Sequence, residues 1–177
     1  YGISTRKEVQ PLLSFAQIND LHVQSDESLS RSFKHQSYAR ANEKARWLVD
    51  AINRKLFGPV PNFVVGVGDL IHGENLDNLG SDLKALKEIL KPLSCPFYPV
   101  VGNHEVLQKE RSPEHLKAYV ATFGKDRVEY TFTQHGMLFV VLNDSGATYP
   151  EFAKQRNEWL HEVLDGNRDR PKIILCH

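Results

Sequence analysis

Short apolar runs recur along the chain and are separated by segments of different character. The five clearest runs cover residues 12–18, 63–67, 97–101, 138–142 and 173–176. Each has the length of a buried β-strand. Two segments with helical periodicity, 39–56 and 82–90, lie between the first three runs and are followed by Gly58 and Pro92. This alternation of strand and helix predicts an α/β fold.

The second half of the chain departs from this simple alternation. Residues 128–133 and 137–142 alternate in polarity across a short polar turn, so we expect an antiparallel pair. A helix should begin at Ser112, which is followed by proline, and end at Gly124. A final amphipathic helix that ends near Gly166 leads into the last strand.

Polar residues of the types found in hydrolytic metal sites follow these runs. They are Asp20 and His22, Gly68 and Asp69, Gly102 to Glu105, Asn143 and Asp144, and His177. Ligands of open α/β sheets bind outside the carboxyl ends of the strands, so we expect these residues to converge on one crevice. A single Asp, Asn or Gly in such a place is explained by turn formation alone. Five groups in register favour a functional site.

The chemistry of these side chains favours metal-assisted hydrolysis. Carboxylate, imidazole and amide ligands together suit iron, manganese or zinc better than copper or calcium. One carboxylate can bind two cations, and two-metal hydrolases hold their ions roughly 3.5–4 Å apart with a bridging water that becomes a hydroxide nucleophile. The cations also stabilise charge on the phosphoryl oxygens, and a nearby imidazole can protonate the leaving alkoxide. We therefore expect two divalent or trivalent cations.

Four motifs of the chain resemble those of a known superfamily. Asp20-Leu21-His22, Gly68-Asp69, Gly102-Asn103-His104-Glu105 and the strand-terminal His177 match, in order, the first four motifs of the calcineurin-like metallophosphoesterases. The match extends from residue 20 to residue 177. The resemblance implies a metallophosphoesterase-type two-sheet sandwich flanked by helices, and a two-metal-dependent phosphoester hydrolase.

The resemblance also implies a role for each matching residue. Asp20 and His22 would bind the first metal, and Asp69 would bridge both metals and take part in catalysis. Asn103 and His177 would bind the second metal.

A different role is implied for the histidine next to Asn103. His104 would contact the phosphate and act as the general acid, with Glu105 or Asp144 as a neighbour that orients its ring. His72 is close enough to the bridging aspartate to face the cleft, but the superfamily does not use that position as a ligand. A substrate contact and an ordinary loop position both remain open for His72.

The branch of the superfamily is indicated by the residues around the motifs. Protein serine/threonine phosphatases carry Asp-Arg-Gly after the second motif and Arg before the third, where this chain has Ile71-His72-Gly73 and Val101. The run 96–105 and the later Leu142-Asn143-Asp144-Ser145 are more similar to bacterial cyclic-nucleotide and glycerophosphodiester phosphodiesterases. We therefore expect a small phosphodiester or phosphomonoester as substrate.

Two alternative functions are compatible with the motifs. A nuclease of the same superfamily would need a basic groove, whereas the chain has 22 basic and 22 acidic residues and no strong nucleic-acid signal. A non-catalytic scaffold could keep the fold as a binding surface, although it would have no physical need for the whole set of metal-site residues.

The superfamily's fifth motif, Gly-His-x-His, does not occur in the chain. We interpret residues 1–177 as a single metallophosphoesterase domain that stops before this motif, with the carboxy-terminal part missing. His115, His135 and His161 do not lie in such a motif and are expected at the surface.

Other bulk properties restrict the function less. No apolar run reaches the roughly 20 residues that a membrane-spanning helix needs. The chain begins at Tyr1, so a removed segment could have carried an export signal. Cytoplasmic and exported locations therefore both stay open. The oligomeric state also stays open. Cys95 and Cys176 are too few for a disulfide framework and are expected in the core.

Overall fold

Two three-stranded sheets form the centre of the molecule. The structure, a computed structural model, describes residues 12–26, 38, 40–106, 116–145 and 150–177. The first sheet contains β1 (Phe15–Ile18), β2 (Phe63–Val67) and β3 (Phe97–Val100), which are all parallel with β2 in the middle. Strand β2 is buried along its whole length, as an uninterrupted apolar sequence predicts for a central parallel strand.

The second sheet is mixed. It contains β4 (Tyr130–Gln134), β5 (Met137–Val141) and β6 (Lys172–Leu175), with β5 antiparallel to β4 and parallel to β6. The predicted hairpin between β4 and β5 is confirmed. His135 (φ 49°) and Gly136 (φ 81°) form its turn, and both have the positive φ that tight hairpins require.

The first two helices follow the predicted pattern with shifted boundaries. Helix α1 (Ala41–Asn53) buries its small and β-branched side chains, whereas its opposite face is exposed. Helix α2 (Leu76–Leu90) begins earlier than the predicted residue 82. Asn75 caps it by accepting a hydrogen bond from the backbone N–H of Asn78 at 3.0 Å. Burial of Leu79 extends the apolar face into this first turn, which outweighs the low helix propensity of Gly80.

Two more helices follow in the second half of the chain. Helix α3 (Leu116–Phe123) ends one residue before Gly124, which closes it as predicted: the N–H of Gly124 (φ 101°) donates to the carbonyl of Val120 at 2.8 Å. The predicted start at Ser112 lies outside the described residues. Helix α4 (Pro150–Asp165) leads into β6, as the amphipathic pattern indicates.

The inner faces of the two sheets pack against each other. Phe63 of β2 and Phe139 of β5 are fully buried and meet edge to face, with ring centroids 5.1 Å apart. Fully burying one such side chain stabilises a fold by about 1.5–3 kcal/mol. Val65, Val141 and Leu175 extend this apolar layer between the sheets.

The outer faces are covered by helices. Helices α1 and α2 bury an apolar layer against the first sheet and its loops. Helix α4 covers the second sheet, where Trp159, Leu160 and Val163 pack against Leu138 and Val140. The α/β prediction and the two-sheet sandwich flanked by helices are therefore confirmed.

One core prediction is wrong. Cys176 is exposed and Cys95 is only partly buried. Leu175, the last residue of β6, is buried in the core, and Cys176 follows it just beyond the end of this strand, which lies at the edge of its sheet among the described strands. Within the described ranges, no helix combines the length and the apolar character that crossing a bilayer requires.

Candidate metal centre

The predicted site residues lie at one edge of the sandwich. Asp20 follows β1, Asp69 follows β2, and Asn103 follows β3, while His177 follows β6 of the other sheet. Strands β1, β2 and β3 are parallel and therefore end at one edge of their sheet, and the contacts of His177 with Val67 and Asn103 bring the end of β6 to the same edge. The crevice outside their carboxyl ends is the usual ligand position in such sheets.

The loops that carry the first ligands adopt an unusual backbone conformation. Asp20 (φ 53°), His22 (φ 48°) and Asp69 (φ 49°) are all left-handed, a conformation that costs non-glycine residues of order 1–3 kcal/mol each. Backbone hydrogen bonds hold them there: the N–H of Asp20 donates to Gly68 at 3.2 Å, and that of His22 donates to Asp69 at 3.1 Å. The two loops are thus bonded to each other beyond the ends of their strands.

Asp69 is the central residue of the site. Only 6% of it is exposed, and its Oδ1 accepts a hydrogen bond from the backbone N–H of His104 at 3.0 Å. Its Oδ2 lies 3.3 Å from Nε2 of His177 and 3.9 Å from Nε2 of His104. Ligand atoms of Asp20, Asp69 and His177 all lie within 4.8 Å of one another.

His177 is oriented so that one ring nitrogen faces the acidic residues. Its Nδ1–H donates to the carbonyl of Val67 at 2.9 Å, which directs Nε2 toward Asp69 and toward Oδ1 of Asn103, 3.2 Å away. Burial acts to lower the pKa of His177, but the bond to Val67 and the charge of Asp69 outweigh it and raise this pKa. Several lone pairs therefore face one another here, an arrangement that a proton or a cation stabilises.

His22 places a second imidazole in the crevice, next to Asp20. Its Nε2 is 3.9 Å from Oδ1 of Asp20, and its buried Nδ1 has no hydrogen-bond partner in the described part of the chain. Burial, followed by the charge of His104, lowers the pKa of His22 to about 4. The ring is therefore neutral at pH 7, which is the form that binds metal ions.

His104 is held through its other ring nitrogen. Nδ1–H of His104 donates to the backbone carbonyl of His72, because a carbonyl can only accept. This bond leaves Nε2 on the side of Asp69. The ring also contacts that of His22, with centroids 4.7 Å apart.

His72 joins a second group of imidazoles, which the sequence did not assign. One nitrogen each of His22, His72 and His104 lie within 4.8 Å of one another. Tyr38 packs beside them, with its ring centroid 4.3 Å from that of His22 and 5.2 Å from that of His72. Burial and then the charge of His104 lower the pKa of His72.

Glu105 has a structural task in the loops rather than a contact with the His104 ring. It is fully buried, and its two oxygens accept hydrogen bonds from the backbone N–H groups of Asp69, Leu70, Ile71 and Gly102 at 2.7–3.2 Å. Burial and then the charge of Asp69 raise the pKa of Glu105 to about 7. The feature of the sequence that points to this role is a carboxylate three residues after Gly102, within one turn.

Asp144, the other predicted neighbour of His104, is directed elsewhere. Its carboxylate pairs with Arg156 of α4, and about half of its side chain is exposed. Of the three histidines expected at the surface, His135 and His161 are exposed as predicted, and His115 lies outside the described residues.

The donor set fits divalent or trivalent cations. Asp20 and Asp69 place two carboxylates near each other, and within the described residues their ion pairs are with histidines rather than with Lys or Arg. Carboxylate oxygen, imidazole nitrogen and the amide oxygen of Asn103 are ligands that manganese, iron and zinc share. Asp20, His22, Asp69, Asn103 and His177 could hold the cations, and His104 faces the same crevice.

Comparisons with known proteins agree with this geometry. A family model described as calcineurin-like phosphoesterase matches residues 13–177. A curated relative, the probable glycerophosphodiester phosphodiesterase GpdQ of Arcobacter nitrofigilis, is 26% identical over a match that covers 67% of this chain and 42% of the relative. This chain therefore spans less than half of that relative. The crystal structure of a dimetal phosphatase from Danio rerio has 17% sequence identity and a TM-score of 0.65, covering 95% of this chain and 70% of that one.

Proposed function

This chain belongs to the calcineurin-like phosphoesterase family, and we propose that it hydrolyses small phosphodiesters or phosphomonoesters with the help of two bound metal ions. The observation that carries the proposal is the convergence of Asp20, Asp69 and His177, whose ligand atoms lie within 4.8 Å of one another although they follow three different strands.

The proposed ligands divide into two sets that share one carboxylate. Asp20 and His22 would hold the first cation, Asn103 and His177 would hold the second, and Asp69 would contact both. The short distances from His177 Nε2 to Asp69 and to Asn103 support the second set. The 3.9 Å distance between His22 and Asp20 supports the first set.

The reaction divides between the cations and the protein. Bound cations supply a lowered pKa for the attacking water and positive charge for the phosphoryl oxygens. The attacking water gives one proton to solvent, and its oxygen bonds to phosphorus while the bond between phosphorus and the leaving oxygen breaks; the electron pair of the broken bond stays on the leaving oxygen. His104, protonated at both ring nitrogens for this step, gives its Nε2 proton to that oxygen and keeps the Nδ1 proton. His104 is suited to this because its Nδ1–H is held by the His72 carbonyl and Nε2 faces the crevice.

Among these substrates, we favour a phosphodiester whose leaving group is a small alcohol, such as a glycerophosphodiester. The named activity of the relative from Arcobacter nitrofigilis supports this choice. The balanced charge of 22 basic and 22 acidic residues does not favour a nuclease. The donor set around Asp69 does not favour a metal-free scaffold.

The proposal is tested with bis-(4-nitrophenyl) phosphate and added manganese, zinc or iron. We expect metal-dependent turnover by the full chain. Asp69→Asn should remove it, because an amide cannot bridge two cations as a carboxylate does. His135→Gln, on the exposed hairpin turn, is the matched control and should leave turnover unchanged. Absence of turnover together with absence of bound metal in the purified protein would contradict the proposal.

A further inference from the structure

A buried carboxylate outside the metal centre is connected to His104 through a single peptide group. Asp82 of α2 is only 3% exposed, and its Oδ2 accepts a hydrogen bond from the N–H of Gly73 at 3.2 Å. The carbonyl at the other end of the same peptide group belongs to His72. That carbonyl accepts the Nδ1–H of His104.

The planarity of the peptide bond makes these two hydrogen bonds interdependent. The N–H and C=O of one peptide group are fixed in opposite directions, so rotating one rotates the other. By holding the N–H of Gly73, Asp82 therefore also fixes the direction of the His72 carbonyl. An ionised acceptor also strengthens such a chain of hydrogen bonds by polarising the peptide group.

The surroundings of this peptide group leave it little freedom. Gly73 (φ 51°) has no room for a side chain, since a Cβ there would lie 2.2 Å from the carbonyl oxygen of His104. The preceding peptide group is also fixed, because the N–H of His72 donates to the carbonyl of Val23 at 2.9 Å. The peptide group is thus held between the His104 loop and the loop after β1.

Asp82 also ties the loop after β1 to the same point. Its Oδ1 accepts a hydrogen bond from the N–H of Ser25 at 2.6 Å, three residues beyond His22. One carboxylate therefore joins the loop that carries His22 to the loop that carries His72.

We propose that Asp82 is a positioning residue for the general acid: it acts through the His72–Gly73 peptide group to hold His104 with Nε2 directed at the leaving oxygen. The inference rests on the proposed function, because it assigns a purpose to His104 in phosphoester hydrolysis. This role of Asp82 differs from a purely structural role because it affects one step of the reaction, the protonation of the leaving group.

Leaving groups of different basicity separate the two roles. A nitrophenolate ion leaves without a proton, whereas an alkoxide such as that of glycerol needs one. If Asp82 positions His104, Asp82→Asn should lower kcat for a glycerophosphodiester by about tenfold, by analogy with the lower end of the loss seen for partners that orient metal-binding histidines. The kcat of Asp82→Asn for bis-(4-nitrophenyl) phosphate should stay close to that of the unmodified protein. Its KM values for both esters should also stay close to those of the unmodified protein.

The matched control lies on the same helix. Ser81→Ala removes a hydroxyl that is 3.1 Å from the hydroxyl of Ser25, so it alters the same region without touching the Gly73 peptide group. We expect Ser81→Ala to leave the ratio of the two kcat values unchanged.

A double-variant cycle tests whether Asp82 acts through His104. His104→Gln should reduce glycerophosphodiester turnover strongly, and adding Asp82→Asn to it should cause little further loss. Equal losses on both esters, or a full tenfold loss on the His104→Gln background, would overturn the inference and leave the proposed function intact.

The remaining outcomes are also distinguishable. Should neither ester be hydrolysed by the metal-loaded unmodified protein, the proposed function fails and the inference fails with it. If Asp82→Asn does not fold, as judged by circular dichroism, Asp82→Glu takes its place in the same cycle. That variant keeps a carboxylate but moves it by one methylene, so the same selective loss on the glycerophosphodiester is expected.

Discussion

Nε2 of His177 lies 3.3 Å from Oδ2 of Asp69, although the two residues follow strands of different sheets. The contact spans the gap between the sheets at the edge where both strands end. It depends on the hydrogen bond from Nδ1–H of His177 to Val67, the last residue of β2. The candidate metal centre therefore lies across the edge of the sandwich, and the packing of the two sheets sets the distance between Asp69 and His177.

Removal of the metal ions should destabilise the protein. Bound cations offset the repulsion between the carboxylates of Asp20 and Asp69, which lie in the same ligand group. A ligand at 100 times its Kd stabilises the folded state by about 2.7 kcal/mol. We expect EDTA to lower the Tm of the unmodified protein by several degrees and to have little effect on Asp69→Asn. Equal shifts for the two proteins in thermal unfolding would contradict this.

The close approach of Gly68 to His177 gives a prediction about ligand placement. A Cβ at Gly68 would lie 2.3 Å from Cγ of His177, so Gly68→Ala should push the His177 ring away from Asp69. We expect this displacement to weaken metal binding at least tenfold, as substitutions of residues that orient metal ligands typically do. Calorimetric titration with manganese measures the affinity.

Gly58→Ala is the matched control for this substitution. Gly58 also has positive φ (126°), but a Cβ there meets nothing within 4 Å. The control should lose about 1 kcal/mol of stability from backbone strain and keep its metal affinity. A normal affinity in Gly68→Ala would show that the ring of His177 can move aside without cost to the site.

The layers of the fold were predictable from the sequence because burial leaves a direct pattern. The apolar run of β2 and the polar residues that follow β1, β2 and β3 indicate a parallel sheet with a site at its edge. The start of α2 was not predictable from periodicity, because Gly80 interrupts the pattern and the Asn75 cap becomes visible only with the backbone in place.

Side-chain partners inside the site were harder to predict than the site itself. Glu105 accepts a backbone N–H from Leu70 and Asp82 accepts one from Ser25, both distant in sequence, and such bonds leave no periodic signal. His72 contributes a carbonyl to His104, a contact that depends on backbone direction and not on the residue type. The sequence therefore indicated which residues meet, while the loop conformations determine how they meet.

Glu105→Gln should destabilise the metal-free protein. An amide side chain offers one acceptor oxygen, so it cannot serve all four backbone N–H groups that the carboxylate now accepts, and its NH₂ would face donors. Leaving a buried donor unsatisfied costs about 1–3 kcal/mol. Urea unfolding measures the loss.

A matched control for this variant is Glu43→Gln. Glu43 pairs with Arg40 at the exposed start of α1, where a substitution should change stability by no more than about 0.5 kcal/mol. Comparable stability of the two variants would argue that the loop N–H groups find other acceptors when Glu105 is altered.

The pH dependence of stability should reveal the buried imidazole of His22. Its pKa is lowered to about 4 in the folded protein by burial and by the charge of His104, whereas the ordinary pKa of a histidine is about 6.5. Above pH 6.5 the ring is neutral in both the folded and the unfolded states, so it adds no pH dependence there. As the pH falls from 6.5 to about 4, the unfolded chain binds a proton at His22 that the folded protein does not bind, and stability is lost.

His22→Gln removes this contribution, so the stability of the metal-free variant relative to the unmodified protein should improve steadily over that pH range. Urea unfolding of both proteins at intervals from pH 7 to pH 4 measures the difference, and a difference that does not vary with pH would contradict the burial of this ring.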